Sequence, residues 1–225
     1  MSFRFLASLN SAPLVAGTGA AVMATLPIVK LGAVPLGTLQ FFNMLAFCTN
    51  VAAVSVPGRM DGDQDARMRS GDLNPDSSTP LTRTGSSNNN IVLASRSKTL
   101  VAPAGWAFAI WAPIYLGETL FVASQFFDAT IIGALPELTA PFVCANIMQS
   151  LWCASFREPY AEGWKKYVSV AMLGGTASSL SFMPFANLSS SWYLLPVAMH
   201  FGWTTAATLV NFNGSLAMRT SLNEP

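Results

Sequence analysis

The residue best placed to do chemistry in this sequence is Glu118, which lies in a long apolar segment beside aromatic side chains. Charging a carboxylate in the middle of a membrane costs about 2.5–3.5 kcal/mol, so such a group usually faces the interior of a helix bundle. Helical spacing puts Trp111, Tyr115 and Glu118 on one face. Two roles fit Glu118: a ligand- or proton-linked group, or a hydrogen-bonded residue that only holds helices together.

Tryptophans are the second group of interest. Trp106 and Trp192 lie near the ends of apolar segments, where tryptophan commonly anchors a helix at the membrane surface. Trp111, Trp152 and Trp203 lie deeper, where an indole N–H normally needs a partner and a flat ring can line a pocket. For these three, pocket lining and ordinary packing are both compatible with the sequence.

A polar stripe and a single histidine complete the candidate groups. The stripe follows i, i+3, i+4, i+7 spacing and predicts hydrogen bonds between helices; it consists of Asn146, Gln149, Ser150 and Cys153. His200 is the only histidine, and such a residue is more often hydrogen-bonded within the core than a ligand. One histidine cannot form a Cys/His metal cluster. We find no hydrolytic or redox signature, and therefore expect no enzyme, no metal and no resident cofactor.

Composition defines the class of protein. The chain has 225 residues, of which 52% are hydrophobic and only 10% charged. Five of the eleven acidic residues fall between Asp61 and Asp76, so the apolar remainder has very little charge. This pattern indicates an integral, multi-pass membrane protein, with lipids as its surroundings. It shows no basic patch for nucleic acid, and it does not identify which membrane, although an organellar one is compatible.

Apolar segments long enough to cross a bilayer occur five times. The predicted spans are Ala33–Val56, Ala102–Phe127, Leu138–Phe156, Tyr167–Ala186 and Trp192–Phe212. Short loops join the last four spans, which favours antiparallel neighbours. We therefore predict an all-α, five-transmembrane-helix bundle.

Two segments fall outside the predicted bundle. Residues 1–30 contain Arg4, Lys30 and no acid, so they fit either a leader or targeting segment or an extra N-terminal helix. Residues 31–225 form the membrane domain. Within it, residues 57–99 are rich in Ser, Asn, Asp and Gly, and we expect a disordered loop.

Positive charge predicts the topology of the five spans. The long loop carries six Lys or Arg residues, the segment after the third span carries three, and the C-terminal segment carries one. The intervening loops, 128–137 and 187–191, carry none. The long loop and the C-terminus are therefore expected on the cytoplasm-equivalent side.

Several segments together resemble the TspO/MBR family, the tryptophan-rich sensory proteins and translocator proteins. The segment from Pro103 to Tyr115 has the pattern P-A-G-W-x-F-x-I-W-x-x-I-Y. The third span contains Gln149-Ser150-Leu151-Trp152-Cys153, similar to the family's N-x-x-W-S. The fifth span, from Pro196 to Asn211, is similar to P-F-x-x-x-x-G-W-x-T-V-A-x-x-x-N. Asn43 and Asn50 in the first span complete the resemblance.

The resemblance implies a five-helix membrane bundle, often dimeric, that binds porphyrins and in some members sterols between its first, second and fifth spans. By motif, the implied pocket residues are Trp106, Phe108, Trp111, Tyr115 and Trp203, with Trp152 nearby. Glu118 and His200 join them as candidate ligand-binding residues. The proposed sterol motif needs a tyrosine that Asn211-Phe212-Asn213 does not supply, whereas Lys165, Tyr167 and Val170 fit its reversed form. Sterol binding therefore stays open at the level of sequence.

Three functions follow as hypotheses. The leading one is a non-enzymatic membrane receptor or sensor that binds a tetrapyrrole-like (porphyrin) or other hydrophobic ligand and aids its transport. The alternative is a structural or accessory subunit of a larger membrane complex, with the aromatic residues contacting lipid or pigment. A small transporter or enzyme that uses Glu118 is a third, weaker hypothesis.

Overall fold

A computed structural model describes residues 11–26, 29, 31–55, 105–155, 160, 163–185 and 192–220. Within these ranges the regular structure is helical throughout. The α-helices are α1 (Ala12–Thr25), α2 (Leu36–Ser55), α3 (Trp111–Ser124), α4 (Ala129–Ser155), α5 (Val168–Ser181) and α6 (Leu195–Thr220). Short 3₁₀ segments lead into three of them: Gly105–Ile110 into α3, Gly163–Tyr167 into α5 and Trp192–Leu194 into α6.

The described helices bury several polar side chains beside their apolar core and expose large apolar ones. Buried positions include the polar side chains Asn43, Glu118, Gln149 and His200, all with no exposed surface. Large apolar side chains lie on the outside, among them Phe41, Leu45, Leu116, Phe182 and Leu209. Such an arrangement suits a bundle whose surroundings are lipid and whose polar groups bond to one another.

Five helices close into a ring. Helix α2 packs on α4, α4 on α5, α5 on α6, α6 on α3, and α3 makes a smaller contact back to α2. One cluster of buried residues fills the ring, with Phe121, Leu138 and Phe142 among its members. Helix α1 lies outside the ring, against α4 and α5. The candidate pocket helices α3 and α6 are therefore direct neighbours.

Three described helices are long and apolar enough to cross a membrane: Leu36–Val54, Trp106–Ser124 and Ala129–Ser155. The all-helical, multi-pass prediction is confirmed, whereas the five-span count is not. Helix α5 has 14 residues, about 21 Å at 1.5 Å each. Helix α6 has 26 residues, about 39 Å. Helix α6 is therefore long enough to cross a membrane, but its threonines and asparagines lower its hydropathy, so it is not among the three apolar helices.

The sequence-based boundary of the third span was wrong. Residues 128–137 were expected to form a loop, but α4 begins at Ala129. The Asp128 carboxylate accepts hydrogen bonds from the backbone N–H groups of Thr130 and Ile131, at 2.8 and 3.1 Å, and so caps the helix. The helix continues through Pro136 and Glu137, which lie within the predicted loop. Glu137 is exposed.

The N-terminal segment contains a helix in its described part. Ala12 and Val15 of α1 are buried against α4 and α5, in a second cluster that includes Cys144, Met148 and Met172. A targeting role for residues 1–30 stays a prediction. The predicted disordered loop, residues 57–99, lies outside the described residues.

Candidate functional site

A buried pair of ionisable side chains joins α3 to α6. The Glu118 Oε1 atom lies 2.7 Å from His200 Nδ1, and neither side chain has exposed surface. Either the imidazole donates from Nδ1 to a carboxylate, or a protonated carboxyl group donates to Nδ1. Both groups thereby gain the partner that an ionisable side chain needs inside a membrane.

A close approach of the two helices positions this pair. A Cβ atom on Gly117 would lie 2.5 Å from the Cβ atom of Pro196, so only glycine fits there. Gly117 directly precedes Glu118, and Pro196 lies one helical turn before His200. Because α3 and α6 touch at this point, their side chains meet one turn further along α6.

Aromatic rings surround one side of the pair. Trp111 stacks on Tyr115 with ring centroids 5.4 Å apart and planes 20° apart. The same indole meets His200 edge-on at 5.5 Å and Trp203 edge-on at 6.2 Å. Phe108 contacts Trp203 edge-on at 5.8 Å. Trp111 is thus the centre of an aromatic cluster made by two helices and the 3₁₀ segment before α3.

Three polar atoms of this cluster are buried and have no hydrogen-bond partner among the described residues: Glu118 Oε2, His200 Nε2 and Trp203 Nε1. Buried polar groups are bonded in the great majority of cases. An unpaired one costs about 1–3 kcal/mol. Three such atoms around one aromatic cluster indicate a site that a polar edge of a ligand, or water, would complete.

A network of polar side chains between α2 and α4 extends to the site through the Tyr115 hydroxyl. Gln149 donates to the Tyr115 hydroxyl at 3.0 Å. Asn50 donates to the side-chain oxygens of Asn146 and Gln149 at 3.0 and 3.1 Å. Two turns away, Asn43 donates to Thr139 and Gln125. Asn146 and Gln149 thus make the predicted hydrogen bonds between helices. Ser150 instead donates to a carbonyl of its own helix.

Six of the eight sequence-predicted ligand-binding residues come together here: Phe108, Trp111, Tyr115, Glu118, His200 and Trp203. The other two lie elsewhere. Trp106 is 82% exposed on the outside of the bundle, in keeping with the alternative role of a membrane-surface anchor. Trp152 packs with the cluster between α1, α4 and α5.

Sequence reasoning missed the contact between Glu118 and His200. Both residues were singled out, but each was considered on its own helix. The pairing could have been inferred from the sequence. Two ionisable side chains in separate apolar segments each need a partner inside a membrane, and each can serve as the partner of the other. Gln125 and the close approach at Gly117 were also missed, since neither stands out without the neighbouring helix.

Among the described residues, no group of three or more His, Cys, Asp or Glu side chains could hold a metal ion. The site of α3 and α6 is therefore one carboxyl group, one imidazole and several aromatic rings within a membrane-embedded bundle. Such an arrangement can bind a flat apolar molecule that carries polar atoms on its edge.

Fold and site together define a polytopic helical membrane protein with a buried aromatic and polar cluster. The family model described as TSPO-like protein matches residues 81–221, which include every helix from α3 to α6. The chain belongs to this family, and the resemblance to TspO/MBR proteins is confirmed at that level. No curated protein and no solved structure matches the chain.

Proposed function

We propose that this protein is a non-enzymatic membrane receptor that binds a tetrapyrrole-like ligand in the cluster of α3 and α6. Family membership supports a sensor- or transporter-like role in a membrane. The observation that carries the finer proposal is the arrangement around Trp111, whose ring contacts Tyr115, His200 and Trp203. Planar rings in such a cluster offer stacking surface to a planar ligand.

The unpaired polar atoms suit the same class of ligand. A porphyrin has a flat apolar face, pyrrole nitrogens at its centre and acidic substituents on its edge. Trp203 Nε1 is a donor, whereas Glu118 Oε2 and His200 Nε2 accept or donate according to where the proton of the pair lies. A ligand with both donors and acceptors can therefore pair all three atoms.

The test is a titration of the detergent-purified full chain with metal-free protoporphyrin, followed by quenching of tryptophan fluorescence. We expect saturable quenching at one porphyrin per chain. The control is a competition with excess detergent-solubilised lipid, which should leave a specific complex intact. Quenching that rises linearly without saturation would favour the accessory-subunit function, in which the aromatic residues contact lipid or pigment in a larger complex.

A further inference from the structure

Two buried ring nitrogens of α6 have no hydrogen-bond partner among the described residues: His200 Nε2 and Trp203 Nε1. We call them the α6 nitrogen pair. The two residues are three positions apart, so their side chains are neighbours on the helix surface. Both rings meet the indole of Trp111 edge-on, with centroids 5.5 and 6.2 Å from it. The two nitrogens therefore belong to one site.

The position of Trp203 shows what this site lacks. The residue as a whole is only partly buried, whereas its Nε1 atom is fully buried. An indole N–H can only donate a hydrogen bond, and a buried one normally has an acceptor. The group that is missing beside Trp203 is therefore a hydrogen-bond acceptor.

The contact with Glu118 determines what His200 Nε2 can do. Glu118 Oε1 and His200 Nδ1 share one proton across 2.7 Å. Inside a membrane the cheapest state of these two side chains is the one without net charge. Their second proton then lies on His200 Nε2 or on Glu118 Oε2. An acceptor at Nε2 selects the first arrangement, so that the imidazole and the indole of Trp203 both donate.

We propose that the α6 nitrogen pair binds a carboxylate group of the ligand, so that the site prefers planar aromatic acids to neutral molecules of the same shape. A carboxylate has two oxygens that only accept hydrogen bonds. It thus suits two donors that lie one helical turn apart, and hydrogen bonds to a charged acceptor are stronger than those between neutral groups. The proposal rests on the proposed function, because it names the chemical group by which the ligand is held.

Charge balance gives Glu118 Oε2 a role in the same site. A carboxylate beside a neutral pair of Glu118 and His200 would leave a net negative charge in the membrane, which is costly. An acid that enters from the lipid as the neutral molecule brings one proton with it. Glu118 Oε2 is buried and has no partner in the described part of the chain. It can take this proton from the ligand, and the complex then carries no net charge.

The aromatic rings leave room for the body of such a ligand on their outer side. Phe108, Trp111 and Trp203 are each partly buried, so they lie between the buried pair of Glu118 and His200 and the outer surface. A Cβ atom on Gly202 would meet nothing within 4 Å, so the surface beside Trp203 is open. A planar molecule can lie against these rings while its acid group reaches inward.

The experiment compares metal-free protoporphyrin with its dimethyl ester, which has the same ring but no acid group. Each dissociation constant is measured by tryptophan quenching of the detergent-purified full chain and corrected for the porphyrin that detergent alone takes up. We expect the acid to bind about tenfold more tightly than the ester, since one hydrogen bond to a charged group corresponds to about that factor. Equal dissociation constants would overturn the proposal.

Trp203→Phe tests the donor directly, because it removes the N–H group and keeps an aromatic ring. The preference for the acid should fall about tenfold in this variant, whereas the affinity for the ester should change little. The matched control is Trp192→Phe, at an indole that is 58% exposed; it should keep the full preference. Ester binding within each variant shows that the bundle is folded. An unchanged preference in Trp203→Phe would contradict the proposal.

His200 offers a measurement that needs no variant. It is the only histidine of the chain, so isotope labelling of its imidazole gives one pair of nitrogen signals in an NMR spectrum. We expect the acid to move the Nε2 signal to that of a protonated, hydrogen-bonded nitrogen, and the ester to leave it in place. The same Nε2 signal in both complexes would overturn the proposal and leave water as the partner of the α6 nitrogen pair.

The two porphyrins also separate this proposal from the proposed function. Binding of the ester as tightly as the acid would refute the carboxylate site and leave the receptor function standing. Failure of both porphyrins to bind would refute the receptor function, and the carboxylate site with it.

Discussion

At the scale of single residues, the contact between Glu118 and His200 joins the second predicted span to the fifth. Glu118 alone fitted two roles, and the structure shows that one oxygen bonds to His200 while the other has no partner among the described residues. Holding the bundle together and facing a ligand are therefore compatible functions of one carboxyl group. The sequence could supply the residues of this pair, but the distance between them depends on how α3 and α6 pack.

Replacing Glu118 tests the pair. Glu118→Leu leaves His200 Nδ1 buried without its partner, and we expect a loss of about 1–3 kcal/mol in the free energy of unfolding. Glu118→Gln keeps a side-chain oxygen for the imidazole and should lose clearly less. Unfolding of both variants in mixed micelles provides the measurement. Equal losses would show that the side-chain oxygen does not bond to His200.

At the scale of helices, small residues and amides fix the arrangement. Gly117 allows α3 to approach α6, and the amides of α2 pair with those of α4. Sequence patterns predicted the amide stripe, because i, i+3, i+4 spacing reveals a shared face on one helix. They could not predict the partner residues, since the partners lie on a helix about a hundred residues away in the chain.

The Gly117 contact should be sensitive to a single methyl group. Gly117→Ala places a Cβ atom against the Pro196 ring, so the helices must separate or repack. We expect a loss of about 1–3 kcal/mol in stability, together with weaker porphyrin binding because Glu118 and His200 move apart. Gly202→Ala is the matched control on α6, where a Cβ atom would meet nothing within 4 Å. Thermal unfolding that treats both variants alike would show that the close approach does not exist.

The amide network should contribute modestly. A double-mutant cycle of Asn50→Leu and Asn146→Leu isolates one hydrogen bond of 3.0 Å. We expect a coupling free energy of about 0.6 kcal/mol, the average of such double-mutant cycles in one well-studied helical membrane protein. The cycle is measured by chemical unfolding in mixed micelles. A coupling energy of zero would place the two side chains out of contact.

At the scale of the whole molecule, composition sufficed to predict a multi-pass helical membrane protein, because the apolar segments leave few alternatives. The end of α4 was predicted within one residue, whereas its start, Ala129, lies nine residues before the predicted Leu138. Helix α1 could not be separated from a leader by composition alone. Its contacts with α4 and α5 join residues that are far apart in the sequence, so they are visible only in the structure.

The orientation in the membrane is a prediction at this scale. Ser87 and Ser189 flank different ends of the predicted spans and lie outside the described residues. Cysteine substitutions at the two positions, in a protein that lacks Cys48, should react with a membrane-impermeant reagent from opposite sides. Cations concentrated in the long loop favour the side of Ser87 as the cytoplasm-equivalent one. Reaction of both positions from one side would refute the topology.

The ligand site is the central claim, and a comparison of two tryptophans tests it most directly. Trp111 lies at the centre of the aromatic cluster, whereas Trp192 is 58% exposed on the outside of the bundle. Ring stacking is worth about 1–3 kcal/mol elsewhere. Trp111→Ala should therefore weaken protoporphyrin binding by about tenfold to a hundredfold.

The same titration on Trp192→Ala should give the dissociation constant of the unmodified protein. Both variants remove one indole, so a difference between them reports the position of the ring and not the loss of a tryptophan. A weakened Trp111→Ala beside an unchanged Trp192→Ala is the result that the account predicts. Equal affinities for the two variants would contradict it and remove the site from α3 and α6.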